Sequence, residues 1–455
     1  MDIKSQFQVQ HAFHLQGETR LLPFRQDSLK QFETVLRKRE PDILDALAKD
    51  LSRPAFEAYA ADLGIVLHEI KHALSNLESW SAPIKTRTPL VSFPSRSFVI
   101  PEPFGICLII SPWNFPFLLS LCPLVGAVAA GNCVMIKPSS QAPHSSQCIK
   151  RIVDETFEPR HVTVVQAGRE EGGALLNLPF NKIFFTGSPD SAKIILKAAA
   201  NNLTPVTLEL GGKNPCIVDD SADISLSAKR ISWGKFFNAG QSCVAPDYIA
   251  AHSSIKEELV LALKDWITRF FGADPKESKD FGRIVNDRQY QRLSALLNRG
   301  NLRTGGQHDE VQRYLAPTVI DNVTWVDPVM QQEIFGPLLP VLEFTDFKQL
   351  IEDLKTRPKS LGLYLFSKNK KSQDIVINSL GFGGGCINDV MFQFIGPHLP
   401  FGGVGSSGMG RYHGKASFDA FSHHKSILRN HFFFDIPLRY APYGKKLSIL
   451  KRVLG

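Results

Sequence analysis

The sequence predicts an α/β protein made of two doubly wound parallel-sheet domains with a small additional β arm. Three observations carry this. Between residues 105 and 210, short apolar runs at 106–111, 133–136, 162–166, 183–186 and 206–210 alternate with helical stretches. The same rhythm returns from 211 to about 390, with runs at 217–218, 248–251, 339–342, 361–366 and 384–388. Strands alternating with helices imply right-handed βαβ units and a parallel sheet in each half. Finally, residues 81–103 hold Pro83, Pro89, Pro94, Pro101 and Pro103 among β-formers such as Phe98 and Val99, which suits an extended arm or edge ribbon.

The elements follow in order. Residues 28–79 read as helices; Pro41 fits a first helical position, and Leu44, Leu47 and Leu51 repeat at helical spacing. Residues 104–136 carry no charged side chain and on hydropathy alone resemble a membrane span. Pro112, Pro116, Pro123 and several glycines favour a buried strand at 105–111, a turn and a buried helix at 117–130. The glycine-rich loop near 209–213 is the expected hinge between the two halves.

Seven cysteines (107, 122, 133, 148, 216, 243 and 386) form no CxxC pair, and most sit among apolar neighbours. This argues for a reducing, cytoplasmic setting and against a disulfide framework or a metal site. The N-terminus lacks the apolar stretch of a signal peptide. Much of the net charge of +8 belongs to residues 425–455, where seven cations from Lys425 to Arg452 face Asp435 alone. No nucleic-acid module is visible. In the tail, Leu447, Leu450 and Leu454 share a helical face flanked by Lys446, Lys451 and Arg452. Such a face suits a dimer arm with a solvated basic edge, the preferred reading, or contact with an anionic membrane surface.

The chemistry concentrates in three segments. Cys243 lies in Phe-Asn-Ala-Gly-Gln-Ser-Cys-Val-Ala-Pro-Asp-Tyr, residues 237–248. Glu209 lies in Leu-Glu-Leu-Gly-Gly-Lys-Asn-Pro (208–215), and Asn114 in Ser-Pro-Trp-Asn-Phe-Pro (111–116). A thiol, a carboxylate and an amide at strand ends and turns offer a nucleophile, a general base and an oxyanion donor. The other six cysteines read as buried small hydrophobes. Gly187 and Ser188 end a strand and open a helix near 189, where backbone amides suit a pyrophosphate.

With Lys-Pro-Ser (137–139), Phe-Thr-Gly-Ser (185–188), Gln-Glu-Ile-Phe-Gly-Pro (332–337) and Pro-Phe-Gly-Gly-Val-Gly-Ser-Ser-Gly-Met-Gly (400–410) in the same order, the chain resembles the aldehyde dehydrogenase superfamily over roughly residues 5–445. The short N-terminus and the Ala-Pro-Asp-Tyr after the cysteine resemble its class 3 (fatty and aromatic aldehyde) branch. The resemblance implies a Rossmann-like NAD(P)-binding domain (1–80 and 102–209), a catalytic domain (210–420), and an oligomerisation arm with a basic tail (81–101 and 421–455). It implies oxidation of an aldehyde to an acid through a thiohemiacetal and thioester on Cys243, with Asn114 and the Cys243 N–H holding the oxyanion and Glu209 activating water. Lys137 would meet the adenosine ribose, Glu333 the nicotinamide ribose, and Phe335 would pack beside it, with Trp113 and Gly211 along the cofactor path. A homodimer is implied as well.

Three positions depart from the family pattern. Ser140 stands where NAD-preferring members place an acid, which removes repulsion toward a 2′-phosphate, so NADP as well as NAD is expected. Ala192 replaces a common glycine, and Asp190 lies near the phosphates. Phe115, Trp233, Met391, Phe392, Phe394 and Phe401 are candidates for an apolar tunnel, which predicts a medium- to long-chain or aromatic aldehyde. Two alternatives stand beside this reading: transfer of the acyl group to coenzyme A, which the carboxylate of Glu209 argues against, and a catalytically inactive member of the same fold.

Overall fold

A computed structural model describes residues 2–89, 92–166, 168–297 and 301–454; of residues 169–171, 453 and 454 only the backbone is described. Helices begin at once, with Ile3–Gln16, Leu22–Lys38, Glu40–Leu51 and Gly64–Ser81. Pro41 sits in the first turn of Glu40–Leu51, as its fixed φ favours. A short π-helical turn, Tyr59–Leu63, precedes the fourth of these helices.

The first sheet has six strands in the order Gly408–Met409, Val206–Glu209, Lys182–Thr186, Ile106–Ile110, Cys133–Lys137 and Val162–Val164. All its pairs are parallel except the first, where Gly408 and Met409 run antiparallel to Glu209 and Leu208. The second sheet has seven strands, ordered Asn301–Thr304, Thr318–Val323, Leu338–Phe344, Tyr248–His252, Pro215–Val218, Gly362–Phe366 and Gly384–Ile387. Only its outermost strand, Asn301–Thr304, is antiparallel. The strand Thr318–Val323 escapes the sequence pattern because Asp321 and Asn322 interrupt its apolar run. Asp321 is accommodated by Lys256 at 3.3 Å and Arg303 at 2.8 Å.

The proline-rich arm is a ribbon. Arg96–Pro103 pairs antiparallel with Ile84–Thr86 on one side and with Ser422–Arg429 on the other. The chargeless stretch resolves into the strand Ile106–Ile110, a turn, and the fully buried helix Pro116–Ala130 with Pro123 inside it. No helix among the described residues is long and apolar enough to cross a membrane.

One grouping by sequence needs correction. Residues 408–420 were placed with the second half, yet they pack on the first, as does Phe421, which was placed with the arm. Besides the strand at Gly408–Met409, the helix Lys415–Ala420 lies against Pro116–Ala130, where Gly126 leaves room for Ser417. Asn132 Nδ2 donates to Phe421 O at 2.9 Å. The small residue Gly126 on one helix and the buried Asn132 amide just beyond its end draw this segment back across the molecule.

Candidate active site

Cys243 follows a helix that ends by breaking its own geometry. Ile224–Phe236 runs into Asn238 and Ala239, both with left-handed φ (52° and 51°), and then Gly240 at φ 73°. Gly240 also packs so tightly on Gly336 that a side chain would run into the Gly336 carbonyl. Asn214 clamps the turn that follows. Its Nδ2 donates to Cys243 O at 2.8 Å and Ala245 O at 2.9 Å, and Tyr364 Oη donates to Val244 O. The half-buried Cys243 thiol opens onto the cleft between the two sheets. Burial, then the neighbouring carboxyls of Glu333 and Glu209, push it up to about 12. Cys107, Cys122, Cys133, Cys148 and Cys216 are buried, and all seven cysteines are free.

Glu209 closes the strand Val206–Glu209 and is buried, with both carboxyl oxygens lacking a hydrogen-bond partner among the described residues. Burial alone drives it well above the usual carboxylate range. Its carbonyl accepts from Gly187 N at 3.0 Å, which ties it to the next strand end. Asn114 sits in the turn before Pro116–Ala130. Its Nδ2 donates to Gln241 O at 3.2 Å, two residues before Cys243. The structure therefore brings Cys243, Glu209 and Asn114 to one cleft from three distant segments.

The cleft has a volume of about 1340 Å³. Trp113, Lys137, Gly187, Ser188, Gly211, Glu333 and Phe335 line it together with Ser140 and Asp190. Burial lowers the Lys137 ammonium from its ordinary value. Ser188 caps the helix Pro189–Ala200 through its side chain, which accepts from Ser191 N at 3.3 Å, and Asp190 is solvated near Lys193 at 3.5 Å. Ala192 is buried in that helix, and its N–H still reaches Ser188 O at 3.0 Å. Trp113 and Phe335 meet edge to face at 5.4 Å. Burial raises Glu333 to about 8, helped by Asp247 and opposed by the Gly212 N–H, Lys213 and Arg292.

A dinucleotide fits these groups. Thr186 Oγ1 and Glu333 Oε1 are buried and have no hydrogen-bond partner among the described residues. Gly187 and Gly211 are sites where an added side chain would collide with Phe185 and Glu333. A helix N-terminus opens at Ser188–Pro189. A ribose hydroxyl or an anion can satisfy what the protein leaves open.

Phe115, Trp233, Met391 and Phe401 do not line this cleft. Phe115, Trp233 and Phe401 belong instead to two aromatic series. Phe115, next to Asn114, stacks on Phe237 at 6.4 Å. Phe237 meets Trp233 at 5.7 Å, and Trp233 stacks on the exposed Phe392 at 5.4 Å. Phe394 meets Phe401 at 6.2 Å, and Phe401 meets Tyr412 at 5.8 Å, whose hydroxyl feels the charges of Glu209 and Cys243. Met391, at φ 66°, packs by Gly234.

Several residues went unnoticed in the sequence. Lys213 holds Asp247 and donates to Val329 O and Gln332 O, both at 3.0 Å. Asp247 Oδ1 in turn accepts from Ile334 N at 2.9 Å, and Arg292 donates to Ile334 O at 2.6 Å. Together they fix the loop that carries Glu333. Lys213 and Asn214 sit inside the glycine-rich motif already quoted, whereas Arg292 has no local pattern to mark it.

The aldehyde dehydrogenase family model matches residues 8–427. The chain is 46% identical over 451 residues to 4,4′-diaponeurosporen-aldehyde dehydrogenase of Staphylococcus aureus, covering 99% of this chain and 98% of that one. It is also 46% identical over 420 residues to human aldehyde dehydrogenase family 3 member B1, covering 92% and 90% of the two chains. A substrate-bound structure of Staphylococcus aureus AldH superposes with a TM-score of 0.98 at 45% identity over 100% of both chains. A betaine aldehyde dehydrogenase from the same species, in complex with NAD+, superposes at 0.86 with 25% identity over 97% of this chain and 90% of that one. With a thiol, a carboxyl and an amide gathered at a dinucleotide-sized cleft and these likenesses running nearly end to end, the chain belongs to the aldehyde dehydrogenase family and is an NAD(P)-dependent oxidoreductase of aldehydes, with the family 3 enzymes among its relatives.

Proposed function

We propose that this chain oxidises medium- to long-chain aliphatic or aromatic aldehydes to carboxylic acids, with Cys243 as nucleophile, Glu209 as general base and Asn114 as oxyanion donor. The observation that carries it is that these three side chains line one cleft together with Lys137, Gly187, Ser188 and Glu333.

The steps balance on this chain's own groups. Cys243 Sγ bonds to the aldehyde carbon, and its thiol proton passes toward the Glu209 carboxyl once that group is ionised. The carbonyl oxygen becomes an oxyanion facing the Asn114 amide and the Cys243 N–H; losing one such donor typically costs ~10²–10³ in rate. When bound, the oxidised nicotinamide supplies the hydride acceptor. Cys243 is then acylated as a thioester. Glu209, once it has passed that proton to solvent, takes a proton from water, the water oxygen bonds to the acyl carbon, and the C–S bond breaks to release the acid and a thiolate that recovers its proton from Glu209. Burial holds both Glu209 and the Cys243 thiol neutral at rest, so the reactive forms gain as pH rises. Lys137 and Glu333 are assigned to the two riboses, Gly187 and Ser188 to the pyrophosphate, and Trp113, Gly211 and Phe335 to the nicotinamide end.

The aromatic series from Phe115 to Phe392 and from Phe401 to Phe394 supports an apolar substrate. Rates across aldehydes of rising chain length test this. A maximum at hexanal or longer, or with benzaldehyde, is expected, and a maximum at acetaldehyde refutes it.

The reading extends to a cytoplasmic homodimer. Seven free cysteines support a reducing compartment. The antiparallel ribbon, together with the exposed Phe432, Phe433 and Phe434, supports a second copy as the partner of the arm and tail. Contact with an anionic membrane is favoured by one feature. Leu447 and Leu450 are exposed on the helix Lys446–Leu454 beside Lys451 and Arg452, while the side chain of Leu454 lies outside the described residues. Sedimentation of the full chain, with and without vesicles of anionic lipid, separates the two.

A further inference from the structure

Behind Asn114 lies a buried polar network that the reaction steps do not use. Arg53 is almost fully buried between the helices Glu40–Leu51 and Ala55–Ala58. Its Nη1 pairs with Asp62, its Nη2 donates to the Asn114 carbonyl, and its Nε donates to Asn238 Oδ1 at 3.1 Å. The guanidinium also lies 4.7 Å from the centre of the Phe115 ring. Asp62 accepts from Phe117 N at 3.0 Å and Leu118 N at 2.9 Å, which caps the helix that follows Asn114. Asn238 Nδ2 reaches both the Asn114 carbonyl at 3.0 Å and the Gln241 carbonyl at 3.1 Å.

We propose that Arg53 and Asn238 are positioning residues that lock the Asn114 amide in register with the Cys243 turn, and so set the oxyanion site. The proposal rests on the assignment of Asn114 as an oxyanion donor. The Gln241 carbonyl is the shared reference point. It accepts from Asn114 Nδ2 at 3.2 Å and from Asn238 Nδ2, and it stands two residues before the Cys243 N–H. One hydrogen of the Asn114 amide is spent there, which fixes the amide plane and leaves the second hydrogen for a substrate oxygen. Asn114 comes from the turn after Ile106–Ile110, an inner strand of the first sheet, and Cys243 from a turn leading into the second. Without a brace, these two donors would be referenced to different sheets. Asn238 and Arg53 close the frame between them, and the whole frame is buried, so its bonds do not exchange freely with water. Asn238 can hold its left-handed φ of 52° because asparagine tolerates that region better than most residues.

The test is a double-mutant cycle on the intact enzyme, reading cofactor reduction with hexanal. Asn238→Asp keeps an acceptor for Arg53 Nε and tolerates the same φ, but it loses both amide donors. Its kcat is expected to fall roughly 10- to 100-fold, with the aldehyde KM changed by less than about threefold, because about 1 Å of misplacement can cost ~10² in rate. In an Asn114→Ala background the same substitution should cost less than about threefold, since the group it positions is gone. Arg53→Lys keeps a cation for Asp62 but loses the planar fork. It should show a smaller loss that likewise disappears in the Asn114→Ala background, and it carries the test if Asn238→Asp fails to fold. Losses that multiply in full in the Asn114→Ala background overturn the positioning role and leave the assignment of Asn114 standing. An Asn114→Ala enzyme with wild-type kcat overturns that assignment, and the positioning role with it.

Discussion

The carboxylate of Glu333 occupies the space that a side chain on Gly211 would fill. The glycine-rich segment 209–213 and the Glu333 loop come from distant parts of the chain. The contact is close enough that the Gly212 N–H also helps hold the carboxylate.

Gly211→Ala should therefore displace Glu333 without unfolding the protein. Affinity for the nicotinamide cofactor, followed by protein fluorescence, is expected to fall about tenfold or more, equivalent to about 1.4 kcal/mol. An unchanged affinity would show that Glu333 does not meet the cofactor.

Cys243→Ala should remove aldehyde-dependent cofactor reduction by more than about 10³-fold while leaving cofactor binding intact. The other cysteines are expected to be dispensable for turnover. Cys216→Ser with full kcat and Cys243→Ala with none is the pattern to look for in nicotinamide absorbance.

Turnover should rise with pH through the neutral to alkaline range, because burial raises both the Cys243 thiol and Glu209 above their ordinary values. Stability should move the other way. The Glu333 carboxyl is raised to about 8, so the folded chain keeps a proton that the unfolded chain releases above its ordinary value of 4.5. Its contribution is intact below about pH 4.5 and lost as pH climbs toward 8. Urea melts should then show Glu333→Gln gaining on the wild type between pH 5 and pH 8.

Ser140 is exposed at the cleft and bears no negative charge. NADP should be used with at least about one-hundredth of the NAD efficiency, a gap of no more than roughly 2.7 kcal/mol. Ser140→Glu should cut kcat/KM for NADP far more than for NAD. An equal effect on both would remove Ser140 from cofactor choice.

Much of this was legible in the chain because it rests on local signals. Apolar strand runs marked every inner strand of the first sheet, and turn chemistry marked the loops of Asn114, Glu209 and Cys243. What escaped has no local signature. Thr318–Val323 is disguised by a buried Asp321 whose partners, Lys256 and Arg303, are remote in sequence. Arg53 stands alone in Ser-Arg-Pro between two helices, and only the fold reveals that it meets Asn114 and Asn238. Phe115, Trp233 and Phe401 could be picked out as apolar, but their place outside the cleft and their arrangement in two series depend on packing that periodicity does not encode.

The return of residues 408–421 to the first sheet has a consequence for how the gene product can be divided. Gly408 and Met409 cover the edge of the strand that ends in Glu209, and Ser417 fills the notch at Gly126. A fragment ending before residue 400 would expose that bare strand edge and an apolar helix groove, an invitation to aggregate. The two halves are therefore not separable modules, and splitting the chain for fragment complementation would succeed only if the last fifty or so residues were supplied in trans.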